Sequence, residues 1–173
     1  DKRNKDILIY INGEFFQRQD AKISVFDSGY LVGDGVWEGI RLYKGKLAFV
    51  NDHLARLWTA AKAIGLNIPY SQDEIIKRIQ STVEINNMFD QVHIRVMLTR
   101  GIKKTPSQDP RLTISGPNLV IIAEHKKASI ESKNKGIKLF TSSFRRGSPD
   151  YLDPKLNCHS KLHEVQALIQ AIE

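Results

Sequence analysis

The chain carries one cysteine, Cys158, in 173 residues. An internal disulfide framework is therefore excluded, and the usage suits a reducing compartment. No apolar run is long enough to cross a bilayer, and the N-terminal DKRNKD is charged where a signal peptide would be apolar. These absences lead us to expect a cytoplasmic protein with no membrane association. Internal repeats are also lacking. The formal net charge of +7 invites a nucleic-acid partner, but much of the excess lies in HKKASIESKNKGIK (125–138), which reads as a solvated linker. With no aromatic-interleaved basic strand and no zinc-finger spacing, we expect no nucleic-acid partner. His159 and His163 stand four apart without a third ligand in a recognised spacing, so no metal site is read.

What is present is an ordinary globular composition, 41% hydrophobic and 26% charged, in a chain long enough for one domain or one domain and part of another. Residues 6–16 read as a hairpin around Asn12-Gly13, a type I′ turn signal. Residues 22–26 read as a short strand leading into the loop DSGYLVGDG. Residues 36–43 and 46–50 form two strands joined at Lys44-Gly45. Asn51 is expected to cap a helix with Leu54, Leu57, Trp58 and Ala61 on one face, ended by Gly65. Ser71 to Glu74 is a capping box for a second helix with Ile75, Ile79 and Val83 in one stripe.

Residues 91–99 alternate, with Val92, Ile94, Val96 and Leu98 on one face and His93, Arg95, Met97 and Thr99 on the other. A polar loop (101–117), a strand (118–124), the linker and a strand at 137–142 follow. FRRGSPDYLDPKLNCH is irregular, and the last helix starts near Ser160 and reaches QAIE without a C-cap. The pattern predicts an α+β fold. Its small N-terminal domain (1–127) holds a mostly antiparallel sheet with two helices. A linker (128–135) and the opening segment of a second, incomplete domain (136–173) come after it.

The stretch VFDSGYLVGDGVWEGIRLYKGKLAFVNDHLARL (25–57) carries the chemistry. Its glycine loop feeds a strand rather than a helix N-terminus, which removes the dinucleotide and P-loop readings. Gly33-Asp34-Gly35-Val36-Trp37-Glu38 with Arg41, followed by His53-Leu54-Ala55-Arg56-Leu57, resembles the fold-type-IV pyridoxal phosphate (PLP) enzymes. These are the branched-chain and D-amino-acid aminotransferases and aminodeoxychorismate lyase. Trp37 stands where they more often carry Phe or Tyr. His93-Ile94-Arg95 resembles the Tyr-x-Arg of the branched-chain enzymes with His93 in place of tyrosine. Thr99-Arg100-Gly101 resembles the D-amino-acid and lyase subgroups.

The resemblance implies that Arg56 holds the cofactor phosphate, for which a guanidinium fork is suited. A helix-surface arginine taken by itself is better explained as a solvated charge, and the matching upstream motif reverses that reading. It further implies that Trp37, Arg41, His93, Arg95 and Arg100 face the substrate, and that a lysine holds PLP as a Schiff base. Lys155, in Asp153-Pro154-Lys155, fits that lysine, with Lys161 as the alternative. A gap-free match anchored on the final helix instead brings Asn157 to the lysine position.

The implied activity is transamination between an amino acid, branched-chain-like or D, and a 2-oxo acid such as 2-oxoglutarate, by a cytoplasmic homodimer. The alternatives are a lyase of the aminodeoxychorismate type and a non-catalytic binding or dimerisation module.

Overall fold

The computed structural model describes residues 1–172. Asn12 and Gly13 both take positive φ, +52° and +112°, and close the hairpin of β1 (Leu8–Ile11) and β2 (Glu14–Gln17). Lys44 and Gly45 do the same between β3 (Gly35–Tyr43) and β4 (Lys46–Ala48). With β5 (Val92–Thr99) and β6 (Asn118–His125), these strands form one six-stranded sheet, ordered β2-β1-β6-β5-β3-β4 and antiparallel at every pairing. The α+β expectation holds.

The alternation of β5 places Val92, Ile94, Val96 and Leu98 in the core, all fully buried. Against them lie Leu54, Leu57, Ala60 and Ala61 of α2 (Val50–Ala63) and Ile75, Ile79 and Val83 of α3 (Gln72–Ile85). Each large aliphatic side chain removed from water there contributes roughly 1.5–3 kcal/mol. The capping box of α3 is complete, with Ser71 Oγ accepting from Glu74 N–H and Glu74 accepting from Ser71 N–H. Both helices cover one face of the sheet. The other face stays open.

Several local expectations are corrected. Asn51 does not cap α2. The β4–α2 connection is so short that Phe49, at φ +51°, takes the cap position and Asn51 falls in the first turn. Residues 22–26 form no strand and pair with none of the six. Phe26 and Ser28 bond instead to the loop after β5, through Lys103 N–H to Phe26 O (2.9 Å) and Ser28 N–H to Gly101 O (2.9 Å). Within the glycine loop, Ser28–Val32 forms a short helix, α1, capped by Asp27 and closed by Gly33 at φ +71°.

The expected linker contains a helical turn, α4 (Ile130–Lys135). Residues 137–142 pair with no strand among the described residues, and all but the half-buried Ser142 are exposed. The chain ends in α5 (Leu162–Ile172), and Glu173, the end of the expected second domain, lies outside the described residues. No helix among the described residues is long and apolar enough to cross a membrane.

Candidate active site

Two segments share the outer edge of β3. β4 pairs with Arg41–Tyr43, and residues 157–159 pair with the other end. Trp37 N–H donates to Asn157 O (2.9 Å), and His159 N–H donates to Gly35 O (2.9 Å), around a Val36–Cys158 bridge. Partners in an antiparallel bridge share a face. Cys158 therefore joins Val36 on the buried side, while Asn157 and His159 lie on the side of Trp37. The indole Nε1–H of Trp37 donates to Cys158 O (3.1 Å) and closes the junction.

The open sheet face is built from register. Trp37, Gly39 and Arg41 stand opposite Met97, Arg95 and His93, which in turn stand opposite Val120, Ile122 and Glu124. The Arg95 guanidinium stacks on the Trp37 ring at 4.1 Å from its centroid, worth about 0.5–2 kcal/mol. Gly39 makes room for the His93 ring, because a Cβ there would come 3.0 Å from His93 Nε2. A cavity of about 280 Å³ is lined by Arg18, His93, Arg95, Glu124 and Lys126 among others. Burial, and then the charges of Lys126, Arg95 and Arg41, hold the His93 pKa below its ordinary value, so the ring is neutral at pH 7.

The other two arginines on this side are spoken for. Arg41 donates to Lys126 O at 2.6 Å and to Tyr43 Oη at 3.2 Å. Arg100 grips Asp34 through Nε (2.6 Å) and Nη2 (3.0 Å) and donates to the carbonyls of Gly65 and Ile64 at the end of α2. It ties the turn before β3 to that helix.

Arg56 lies on the helix side. Glu38, next to Trp37 in the strand, points the opposite way into the core and is 1% exposed. Arg56 Nε and Nη2 donate to its two carboxylate oxygens, both at 2.6 Å, and His53 Nδ1 lies 2.8 Å from Oε2. The Glu38 hydrogen bond raises the Arg56 pKa above its ordinary value.

Lys155 is exposed, and among the described residues only its backbone N–H is engaged, by Asp153 Oδ1 (2.9 Å). Lys161 is half-buried. Its Nζ lies 3.2 Å from Glu164 Oε1 and 5.9 Å from the Trp37 ring centroid, at the edge of a cavity of about 380 Å³.

Three residues hold roles that the sequence reading did not assign to them. Asp27 is fully buried, and its carboxylate accepts from Gly29 N–H (2.8 Å), Thr99 Oγ1 (2.6 Å) and Asn118 Nδ2 (2.6 Å). An acid directly before Ser-Gly was the available signal for this cap. Glu38 shares the parity of Val36, Ile40 and Leu42, and so announces a buried carboxylate in need of cations. His159 packs against Gly29 and Gly35, its Nε2 is buried without a hydrogen-bond partner among the described residues, and burial lowers its pKa.

The amino-transferase class IV family model matches residues 35–173. Branched-chain-amino-acid aminotransferase-like protein 1 of Arabidopsis thaliana is 39% identical over 97% of this chain and 30% of its own length. A putative branched-chain-amino-acid aminotransferase of Methanocaldococcus jannaschii is 39% identical over 94% of this chain and 55% of its own. The chain thus spans about a third to a half of the relatives it matches. The structure of the T.th. branched-chain amino acid aminotransferase with pyridoxamine 5′-phosphate superposes with TM-score 0.81 at 27% identity, covering 96% of this chain and 57% of that one. The fold, the ordered motifs and the family match agree: the chain belongs to the class IV aminotransferases.

Proposed function

We propose that the protein is a PLP-dependent aminotransferase that exchanges an amino group between an amino acid and a 2-oxo acid such as 2-oxoglutarate. PLP is the cofactor of the family. The observation that carries the reading is the β3 junction. It joins a basic open face, formed by Arg95 on Trp37 beside His93, to the lysine-bearing segment around residue 158.

The donor set fits the cofactor. Arg56 keeps a guanidinium edge free of Glu38 for a phosphate. Lys161 or Lys155 supplies the amine for covalent attachment, and Lys161 is the one in contact with Trp37. When bound, PLP supplies an electron sink for the substrate carbon that loses its proton. Arg95, which has no carboxylate partner among the described residues, takes a substrate carboxylate on its free edge. His93 is neutral there and offers a hydrogen bond without adding charge. Arg41 and Arg100 act from behind, the first holding the end of β6 and the second the turn before β3.

A branched-chain-like or D-amino acid is the proposed donor. The exposed Val25 and Phe26 before α1, with Tyr30 on it, support a homodimer.

Reduction with borohydride after loading with PLP, followed by peptide mass spectrometry, tests the reading. An adduct concentrated on Lys161 or Lys155, with 2-oxo acid formed from an added amino acid, is the expected result. Pyruvate released without an amino acceptor would favour the lyase. One observation favours a second reading: Asn157, not a lysine, stands across from Trp37. Saturable PLP binding with no adduct on either lysine would make this a non-catalytic module.

A further inference from the structure

We propose that Glu38 is a positioning residue for the cofactor phosphate, acting through Arg56; the proposal rests on the reading of Arg56 as the phosphate anchor. Glu38 is a carboxylate in the middle of a core-facing strand parity, and such a group persists in a folded protein only when it is paired. It has taken one whole edge of the Arg56 guanidinium, Nε to Oε1 and Nη2 to Oε2 at 2.6 Å each, and His53 Nδ1 supports Oε2 from the side.

The guanidinium has a second edge, made by Nη1 and the remaining Nη2 proton. That edge is not buried with the first. The Arg56 side chain is 53% exposed and borders a cavity of about 310 Å³ lined also by Phe49, Asp52 and His53.

A counterion serving Glu38 alone needs no second edge, and a lysine would neutralise the charge as well. What distinguishes an arginine here is that it can be fixed on one side and still present a planar pair of donors on the other. An arginine on a helix surface is otherwise rotamer-rich, and ordering it on binding weakens affinity. Glu38 makes that ordering part of folding. The pair is close to neutral overall, so what it gives the phosphate is direction more than charge.

The test compares PLP with pyridoxal, which lacks the phosphate, by absorbance and tryptophan-quenching titrations on the full chain. Inorganic phosphate serves as a competitor. The wild type is expected to prefer PLP. Glu38→Gln should cut that preference about tenfold, the scale of one lost orientation, and leave pyridoxal affinity unchanged, which also certifies the fold. Arg56→Lys keeps the charge and the ion pair with Glu38 but has one donor head, and should lose the preference to the same extent.

If Glu38→Gln leaves the preference intact or increases it while Arg56→Lys abolishes it, the positioning role is wrong and Arg56 remains the anchor. If Arg56→Lys keeps the preference, the two-edge argument is overturned even where Glu38→Gln fails to fold. A wild type that does not distinguish PLP from pyridoxal removes the phosphate reading of Arg56 itself, and the role of Glu38 with it.

Discussion

Replacing Asp27 with alanine strikes the joint between the glycine loop and the sheet. The residue is fully buried, caps α1 through Gly29 N–H, and receives Thr99 Oγ1 and Asn118 Nδ2 at 2.6 Å each from the ends of β5 and β6. Losing the cap costs about 1 kcal/mol. Each donor left without its charged acceptor costs about 1–3 kcal/mol, though water can enter the space vacated. The three bonds share one carboxylate and do not add independently, so the expected loss is about 3 kcal/mol.

At about 2–4 °C per kcal/mol for a chain of this size, Tm should fall by roughly 6–12 °C. Asp27→Asn keeps the shape but turns an NH2 group toward one of the donors, and should cost about 2 kcal/mol. Urea unfolding followed by the fluorescence of Trp37 and Trp58 measures both. Asp20→Ala is the control: Asp20 is exposed, its side chain has no partner among the described residues, and the change should stay within about 0.5 kcal/mol. A loss below about 1 kcal/mol for Asp27→Ala would mean that the carboxylate only caps one helical turn, and that the loop is held by something else.

Gly35→Ala should destabilise by about 2 kcal/mol or more, because its Cβ would lie 2.6 Å from the Leu98 carbonyl oxygen. Gly39→Ala meets a movable ring at 3.0 Å, should cost under about 1 kcal/mol, and should show itself as a changed affinity for substrate carboxylates. Trp37→Phe removes the indole bond to Cys158 O. The His159 amide should then exchange with deuterium several-fold faster, about 1 kcal/mol of local opening, and unchanged protection would show that the indole does not secure the junction.

Burial lowers the pKa of His93, His125 and His159. Between those depressed values and 6.5 the unfolded chain binds more protons, so stability is complete above about pH 6.5 and declines as pH falls. NMR titration of the imidazoles should give midpoints below 6.5; midpoints at about 6.5 would remove the dependence and midpoints above it would reverse the sign.

The fold was legible wherever a local pattern needed no distant partner to be right. Val92 to Leu98 alternates because one face of β5 meets helices, Asn12-Gly13 reverses the chain on its own backbone preferences, and Ser71 finds Glu74 three residues away. Residues 22–26 and 137–142 carry strand-like composition, but a strand exists only where a partner strand pairs with it, and composition says nothing about partners. Asn51 has the right chemistry for a cap and the wrong position, because the tightness of the β4–α2 connection is a tertiary fact.

The same division runs through the site. The residue types of 25–57 identify the family. That Glu38 pairs with Arg56, and that the carbonyls of Ile64 and Gly65 saturate Arg100, appears only in three dimensions. Asp27 and Glu38 lay within reach of the sequence, the first by its place before Ser-Gly and the second by its parity.

The edge of β3 has a kinetic consequence. The contact between Trp37 and Cys158 closes a sequence separation of 121 residues. It rests on two backbone bonds and one indole bond, whereas β3 and β5 are paired along eight consecutive positions. Closing so long a loop is entropically expensive, and so few bonds make a shallow trap. Residues 157–159 therefore dock late in folding and release early, as a unit of lower protection than the sheet that receives them. On mild heating the amide protection of residues 157–159 should be lost before the β-sheet signal, because the frame outlives the segment docked on it.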